Sequence, residues 1–145
     1  MLRLHASLLI ASGALGAEGN GEFLDEAITV AFRAQAGMQD AFPSGHPVRG
    51  VALAELGKLL AVDVAAPTQG AIAQTGATTT LPPPGPARLR LAQQTLVRAR
   101  AELLIGFGVV GGAQMVKTVE EMIKMIEREL QIWDSGVKNV ADTYR

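Results

Sequence analysis

A glycine pattern that starts at Gly106 is the spacing in this sequence that comes closest to a cofactor motif. Gly106, Gly108 and Gly111 match G-x-G-x-x-G, in which a tight turn lets a dinucleotide pyrophosphate approach a helix N-terminus. That site needs a strand before the glycines, but the residues before Gly106 repeat with helical spacing. Glu127 and Glu129 lie at the distance of the ribose-binding acid, yet inside another predicted helix. We therefore interpret the motif as a glycine-rich turn between helices.

The residue types give little support for a metal site or for a nucleophilic active site. The sequence contains no cysteine, which excludes thiolate zinc sites, iron–sulfur ligation, disulfides and cysteine nucleophiles. The histidines, His5 and His46, are far apart and have no carboxylate at ligand spacing; His46 fits better as the residue before a helix. The glutamates at 120, 121, 127 and 129 are interpreted as a solvated helix face. We predict no catalytic residue, no cofactor and no metal ligand.

Two sets of side chains are candidates for binding a protein partner. Arg90 and Arg98 lie about two turns apart on one face of a predicted helix, where they could clamp an acidic peptide tail. Met115, Met122 and Met125 could form a methionine-rich edge for a partner helix. Arginines also line solvated helix faces and methionines also fill cores, so both explanations stay open.

Length and charge narrow the class of protein. A chain of 145 residues fits one domain that can bury a sizeable core. The formal net charge of −1 gives no bulk positive field for nucleic acid or for an anionic membrane surface. The sequence also has no apolar run long enough to span a bilayer. We expect neither nucleic acid nor membrane as a partner.

Hydrophobic periodicity predicts an all-α fold with five principal helices and no sheet. The second helix is expected to bury a stripe that contains Phe23, Ala27, Val30 and Ala34, together with Leu24 and Ala31. Gly57, inside the third helix, predicts a close approach by another backbone. The five helices are predicted at about 1–12, 22–36, 47–62, 87–105 and 113–134, with glycines marking their ends and a short helix possible at 137–144.

The fourth and fifth predicted helices carry apolar stripes with alternating spacings of three and four residues. We expect them to pack antiparallel across a loop at 106–112, and Glu120 and Lys124 to pair on the outside of the fifth helix. The residues predicted to form this packing are Leu96, Leu103, Val119, Ile126 and Trp133.

Two segments fit the helical pattern less well. Residues 64–87 carry no charge and are rich in Pro, Thr and Gly, which is typical of a linker inserted in the single domain. The N-terminus combines Arg3, an apolar run at 6–11 and small residues at 13–17. We interpret it as a buried helix; the alternative is a secreted or exported protein whose first 16 or 17 residues are a signal peptide.

A family resemblance appears at His46-Pro47-Val48-Arg49-Gly50-Val51 and at Leu56-Gly57-Lys58-Leu59. These residues resemble the C-terminal helical, tetratricopeptide-like region of the SET- and MYND-domain protein-lysine methyltransferases. The run from Leu89 to Ala92 and the run from Arg100 to Gly108 resemble the next helix pair in fungal-type members. The resemblance extends over about residues 1–134, interrupted by the uncharged segment.

The resemblance implies a helical domain without the parts that perform the family's chemistry. The SET elements that bind the methyl donor and the lysine are absent from this sequence, as are the zinc-binding cysteines of the MYND finger. It therefore implies a non-catalytic interaction or regulatory domain, cytoplasmic or nuclear. Its expected partners are proteins, such as a catalytic SET domain or an acidic chaperone tail.

Overall fold

The computed structural model describes residues 20–62 and 81–143. Within these ranges the chain forms four α-helices and no strand: α1 (Asn20–Ala41), α2 (Pro47–Ala61), α3 (Pro86–Gly111) and α4 (Ala113–Thr143). The all-α prediction is confirmed for this part of the chain. The helix predicted at 1–12 and most of the uncharged segment lie outside the described residues.

The first described helix is longer than predicted, because Gly37 does not end it. A side chain at Gly37 would meet no atom within 4 Å, so the helix passes through this position without a constraint. The helix ends at Ala41 because Pro43 disfavours helical geometry at the preceding residue. The predicted stripe was wrong at Phe23, which is exposed, whereas Ile28 is fully buried.

α2 begins as the sequence predicted. The His46 side chain accepts a hydrogen bond from the Val48 backbone N–H at 3.3 Å, and Pro47 takes the first helical position, where no N–H is needed. The helix packs against both α1 and α3, which explains why apolar residues occupy most of its circumference. Gly57 does lie against α3, but the closest atoms belong to a side chain: a Cβ there would lie 2.6 Å from the Leu96 side chain and 3.5 Å from the Leu96 backbone N.

The apolar seam between α3 and α4 is confirmed except at its last residue. Leu96, Leu103, Val119 and Ile126 are buried, but Trp133 is 44% exposed. Three polar contacts join the helices in reverse sequence order: Arg100 to Glu120, Gln93 to Glu127 and Arg90 to Asp134. Trp133 was predicted to be buried, but it lies opposite the first turn of α3, where the overlap of the two helices ends.

The loop predicted at 106–112 is present in part, as a break in helical geometry at Gly108 that lies within the predicted range. α3 continues to Gly111 with a kink at Gly108 (φ 68°, ψ 178°), and Gly112 alone separates it from α4. α4 then runs through Gly136 to Thr143, so the separate helix predicted after Gly136 does not occur. Glu120 pairs with Arg100 rather than with Lys124.

Leu81, at the end of the predicted linker, packs against the core. The Pro82 carbonyl accepts a hydrogen bond from Arg88 Nε at 3.0 Å, and α3 begins at Pro86. The last part of the uncharged segment is therefore fixed to the fold rather than free of it.

The helices give the molecule two distinct ends. We call the end that carries the loop 42–46 and the Gly112 connection the turn end. The other end, where the described ranges begin at 20 and 81 and where α2 stops, is called the open end. At the open end Arg88 and Arg90, two residues apart on α3, contact Asp25 of α1 and Asp134 of α4.

Candidate interaction surface

A groove runs between α2 and α4 near the turn end. It has a volume of about 440 Å³ and is open to solvent along its length. Its lining is mainly apolar, with polar groups at the margins, as is typical of surfaces that receive another helix. We call it the helix groove, and its lining residues are Val51, Ala54, Glu55, Lys58, Gly111, Gln114, Met115, Thr118 and Val119.

The α2 wall of the helix groove carries one charge of each sign. Lys58 Nζ lies 3.1 Å from Glu55 Oε1, and both side chains are nearly half exposed. An ion pair this exposed contributes little to stability. A ligand that lies in the groove would meet an apolar floor beside a wall of balanced charge.

The structure divides the predicted methionine edge into three environments. Met115 lines the helix groove and is 40% exposed. Met122 is partly buried and packs against the core. Met125 is 56% exposed and does not line the groove. Met115 is therefore the one predicted methionine that the structure places in the helix groove.

The two predicted arginines also differ. Arg90 Nη2 lies 3.0 Å from Asp134 Oδ1, so a peptide carboxylate would have to compete with this partner. Arg98 is exposed and forms no ion pair within the part of the chain that the structure describes. The eight residues between them correspond to about 12 Å along the helix. A tail that contacts both arginines must span this distance.

A polar cluster at the turn end was not found from the sequence. Glu102 of α3 accepts hydrogen bonds from the Gly45 backbone N–H and, at 3.4 Å, from the Ser44 hydroxyl. Arg49 Nη2 lies 3.0 Å from the same carboxylate, and its Nη1 donates to the Phe42 carbonyl at 3.2 Å. Both carboxylate oxygens are engaged in holding the loop 42–46. The cluster therefore fixes the loop 42–46 to α2 and α3.

The glycine motif has a structural role at the same end. A Cβ at Gly106 would lie 2.5 Å from the Gly45 carbonyl oxygen and 2.8 Å from Pro47 N, so only glycine lets the loop approach α3. A helix precedes the motif, as predicted. Among the described residues, no group of three or more His, Asp or Glu side chains is placed to hold a metal ion.

The sequence did not predict that α2 forms one wall of the helix groove. Val51, Ala54 and Lys58 could be placed on a helix from the sequence, but not opposite α4. A weak signal existed in the apolar residues around most of α2, which indicate a helix with neighbours on several sides.

Comparisons with protein-family models, with curated proteins and with solved structures find no match to this chain. In the described residues, no helix combines the length and the apolar character needed to cross a membrane.

Proposed function

We propose that this chain is a non-catalytic interaction or regulatory domain whose helix groove binds an amphipathic helix of a partner protein. The observation that carries the proposal is the open apolar groove beside Met115. Helix-in-groove recognition uses apolar anchors at positions i, i+3, i+4 and i+7. A methionine suits such a surface, because its flexible side chain adapts to different anchors.

We further propose that the domain is a tetratricopeptide-like array of antiparallel helices, related to the C-terminal region of the SET- and MYND-domain methyltransferases. The reverse order of the α3–α4 contacts supports an antiparallel pair. The main helix contacts join α1 to α2, α2 to α3 and α3 to α4, which is typical of stacked helical repeats. In this proposal the partners include a catalytic SET domain, and the protein acts in the cytoplasm or nucleus.

The groove is tested with a fluorescent 15-residue amphipathic peptide that carries leucines at i, i+3, i+4 and i+7. We expect Met115→Glu to weaken binding by about tenfold, or about 1.4 kcal/mol, because a charge would enter the apolar surface. Val97→Glu is the matched control, since it adds the same charge at an exposed apolar residue of α3 that does not line the groove. Equal losses in both variants, or no binding to the unchanged chain, would refute the groove as the site.

Arg98 offers a second test, directed at an acidic tail as the partner. Arg98→Ala should weaken an acidic C-terminal chaperone peptide more than Arg90→Ala does, because Asp134 already holds Arg90. Asp134→Ala should strengthen binding by releasing Arg90. All three affinities should fall as salt rises, since exposed charges are screened within about 10 Å at 0.1 M. If the unchanged chain and a variant with both Arg90→Ala and Arg98→Ala bind the peptide equally well, the two arginines do not bind the acidic tail.

The absence of catalysis is tested separately, with the methyl donor itself. We expect the chain neither to bind S-adenosylmethionine nor to methylate protein, because the resemblance does not extend to the SET elements. A stoichiometric, micromolar complex in calorimetry would contradict the non-catalytic assignment.

A further inference from the structure

The charged residues that line the helix groove both belong to α2. Glu55 and Lys58 lie three residues apart on the α2 wall, and the other lining residues are neutral. Lys58 Nζ lies 3.1 Å from Glu55 Oε1, and the side chains are 41% and 43% exposed. An ammonium group has three donors and a carboxylate has two acceptor oxygens, so each residue can bind a further partner without losing the other. The wall therefore offers one position for an acidic side chain and one for a basic side chain.

The two charges follow a fixed order along the groove. α2 runs from the turn end to the open end, so Glu55 lies nearer the turn end and Lys58 nearer the open end. A basic side chain of a bound helix would pair with Glu55, and an acidic one would pair with Lys58. Three residues correspond to about 4.5 Å along a helix, which side chains three or four residues apart on a partner helix can match.

The helix ends beside the groove favour one direction for a bound helix. α2 and α4 both begin at the turn end, and Gln114 and Met115, from the first turn of α4, line the groove. A helix N-terminus carries a partial positive charge and a C-terminus a partial negative charge, so neighbouring helices favour opposite directions. A helix between α2 and α4 is therefore more stable when its own C-terminus lies at the turn end.

The favoured direction also fixes the order of charges in the partner. A helix that runs from the open end to the turn end reaches Lys58 before Glu55, so its acidic residue precedes its basic one. Within a helix, Glu placed N-terminal to Lys by four residues stabilises more than the reverse order does. The direction and the charge order therefore agree on one kind of partner.

We propose that the helix groove binds a helix that runs antiparallel to α2, with an Asp or Glu opposite Lys58 and, three or four residues later, a Lys or Arg opposite Glu55. The proposal rests on the function proposed above and adds the charge pattern and the direction of the partner. Apolar anchors of the partner contact Val51 and Met115. The charge pairs lie at the exposed margin of the groove, where they select among amphipathic helices.

Two 15-residue peptides test the charge pattern. Both carry the leucines described above; one also carries Glu and, four residues later, Lys, and the other carries Gln at both positions. We expect the charged peptide to bind about fivefold more tightly at low salt, and this advantage to fall as salt rises. Glu55→Gln with Lys58→Gln should remove the advantage. The matched control is Glu121→Gln with Lys124→Gln, an exposed pair with the same spacing and order on α4 that does not line the groove.

The outcomes separate this proposal from the proposed function. Equal affinity of the two peptides for the unchanged chain, or an equal loss of the advantage in both variants, would overturn the charge pattern. If Met115→Glu still weakens both peptides in that case, the groove stays the binding site and only the charge pattern fails. Absence of binding by either peptide would refute both proposals. A dimer in sedimentation that Lys58→Glu dissociates would assign the groove to a second copy of the chain and overturn this proposal.

A nitroxide on the N-terminus of the charged peptide tests the direction. Val48 and Val62 lie about one turn beyond the two ends of the α2 lining, roughly 20 Å apart, and both are exposed. In methyl NMR spectra the nitroxide should broaden Val62 more than Val48, and a nitroxide on the peptide C-terminus should do the opposite. Stronger broadening of Val48 by the N-terminal nitroxide, or equal broadening of both valines, would overturn the antiparallel direction.

Discussion

The two ends of the molecule are both held by charged residues of α3, but in different ways. At the turn end, the Arg49 and Glu102 side chains are each 13% exposed, and each also forms a hydrogen bond with a backbone group of the loop 42–46. At the open end, Arg90 and Asp134 are 54% and 59% exposed and contact each other alone. Arg88 is buried there, but its partner Asp25 is half exposed.

The difference shows that the contribution of an ion pair to stability depends on how far its surroundings exclude water. Water screens an exposed pair and replaces its hydrogen bonds when it is broken. When one residue of a largely buried ion pair is removed, the charge of the other residue stays buried without a partner. The Arg49–Glu102 pair is therefore expected to resist change, whereas the Arg90–Asp134 pair should tolerate it.

The largest effect is expected from truncating the seam near the turn end. Leu103 is fully buried and contacts the Gly50 position of α2 as well as lying in the α4 seam, so Leu103→Ala should cost about 4–5 kcal/mol. Leu130 lies nearer the open end and is 8% exposed, so Leu130→Ala should cost about 2–3 kcal/mol. Urea unfolding measures both. Equal losses would mean that the ends do not differ in packing.

Removing a carboxylate compares the two ion pairs. Glu102→Ala should cost about 3 kcal/mol, because Arg49 would keep its position with little solvent and the Gly45 N–H would lose its acceptor. Asp134→Ala should cost less than about 1 kcal/mol, since it breaks an exposed pair. Thermal unfolding at matched salt gives both values. A cost for Asp134→Ala as large as that for Glu102→Ala would break the comparison.

The same glycine-to-alanine change should have opposite signs at the two ends. Gly106→Ala should cost about 1–3 kcal/mol, because the new methyl group would overlap the loop at Gly45 and Pro47. Gly136 has no atom within 4 Å of a new Cβ and lies inside α4, so Gly136→Ala should stabilise by about 0.5–1 kcal/mol. Two stabilised variants would show that the loop does not contact α3 as described.

The sequence predicted the helices well where an apolar stripe extends over several turns, and less well where glycine was taken as a stop. Gly37 and Gly136 both lie inside helices, because neither faces a packing conflict and the flanking residues favour helix. Pro43 disfavours helical geometry at the residue before it by a steric effect, and the first described helix does end just before it, at Ala41. Trp133 was misplaced because its exposure depends on where α3 begins, which periodicity within α4 cannot reveal.

The candidate site was predictable to a smaller extent. Met115 could be named because methionine at an amphipathic helix edge is a common binding feature. Val51 and Lys58 could not, because the groove exists only when α2 and α4 lie side by side across α3. The Glu102 cluster depends on a similar long-range approach.

The secretory alternative concerns residues outside the described ranges, and it stays a prediction. Mass spectrometry of the natural protein decides it, since cleavage after residue 16 or 17 would remove the apolar run at 6–11. An intact N-terminus would exclude the signal peptide.

The seven-residue spacing along α4 has a consequence for how α3 and α4 are aligned. Glu120, Glu127 and Asp134 are separated by seven residues, as are Gln93 and Arg100. Sliding one helix past the other by seven residues would again oppose Arg100 to a glutamate and apolar residues to apolar residues. The slide would, however, separate Arg90 from Asp134 and shorten the overlap of the two helices by about two turns.

The connection adds to that selection. A slide of seven residues moves a helix by about 10 Å, and the connection, which runs from the kink at Gly108 to Gly112, would have to unwind the last turn of α3 to follow it. The alignment of the pair therefore depends on the connection as well as on the interface.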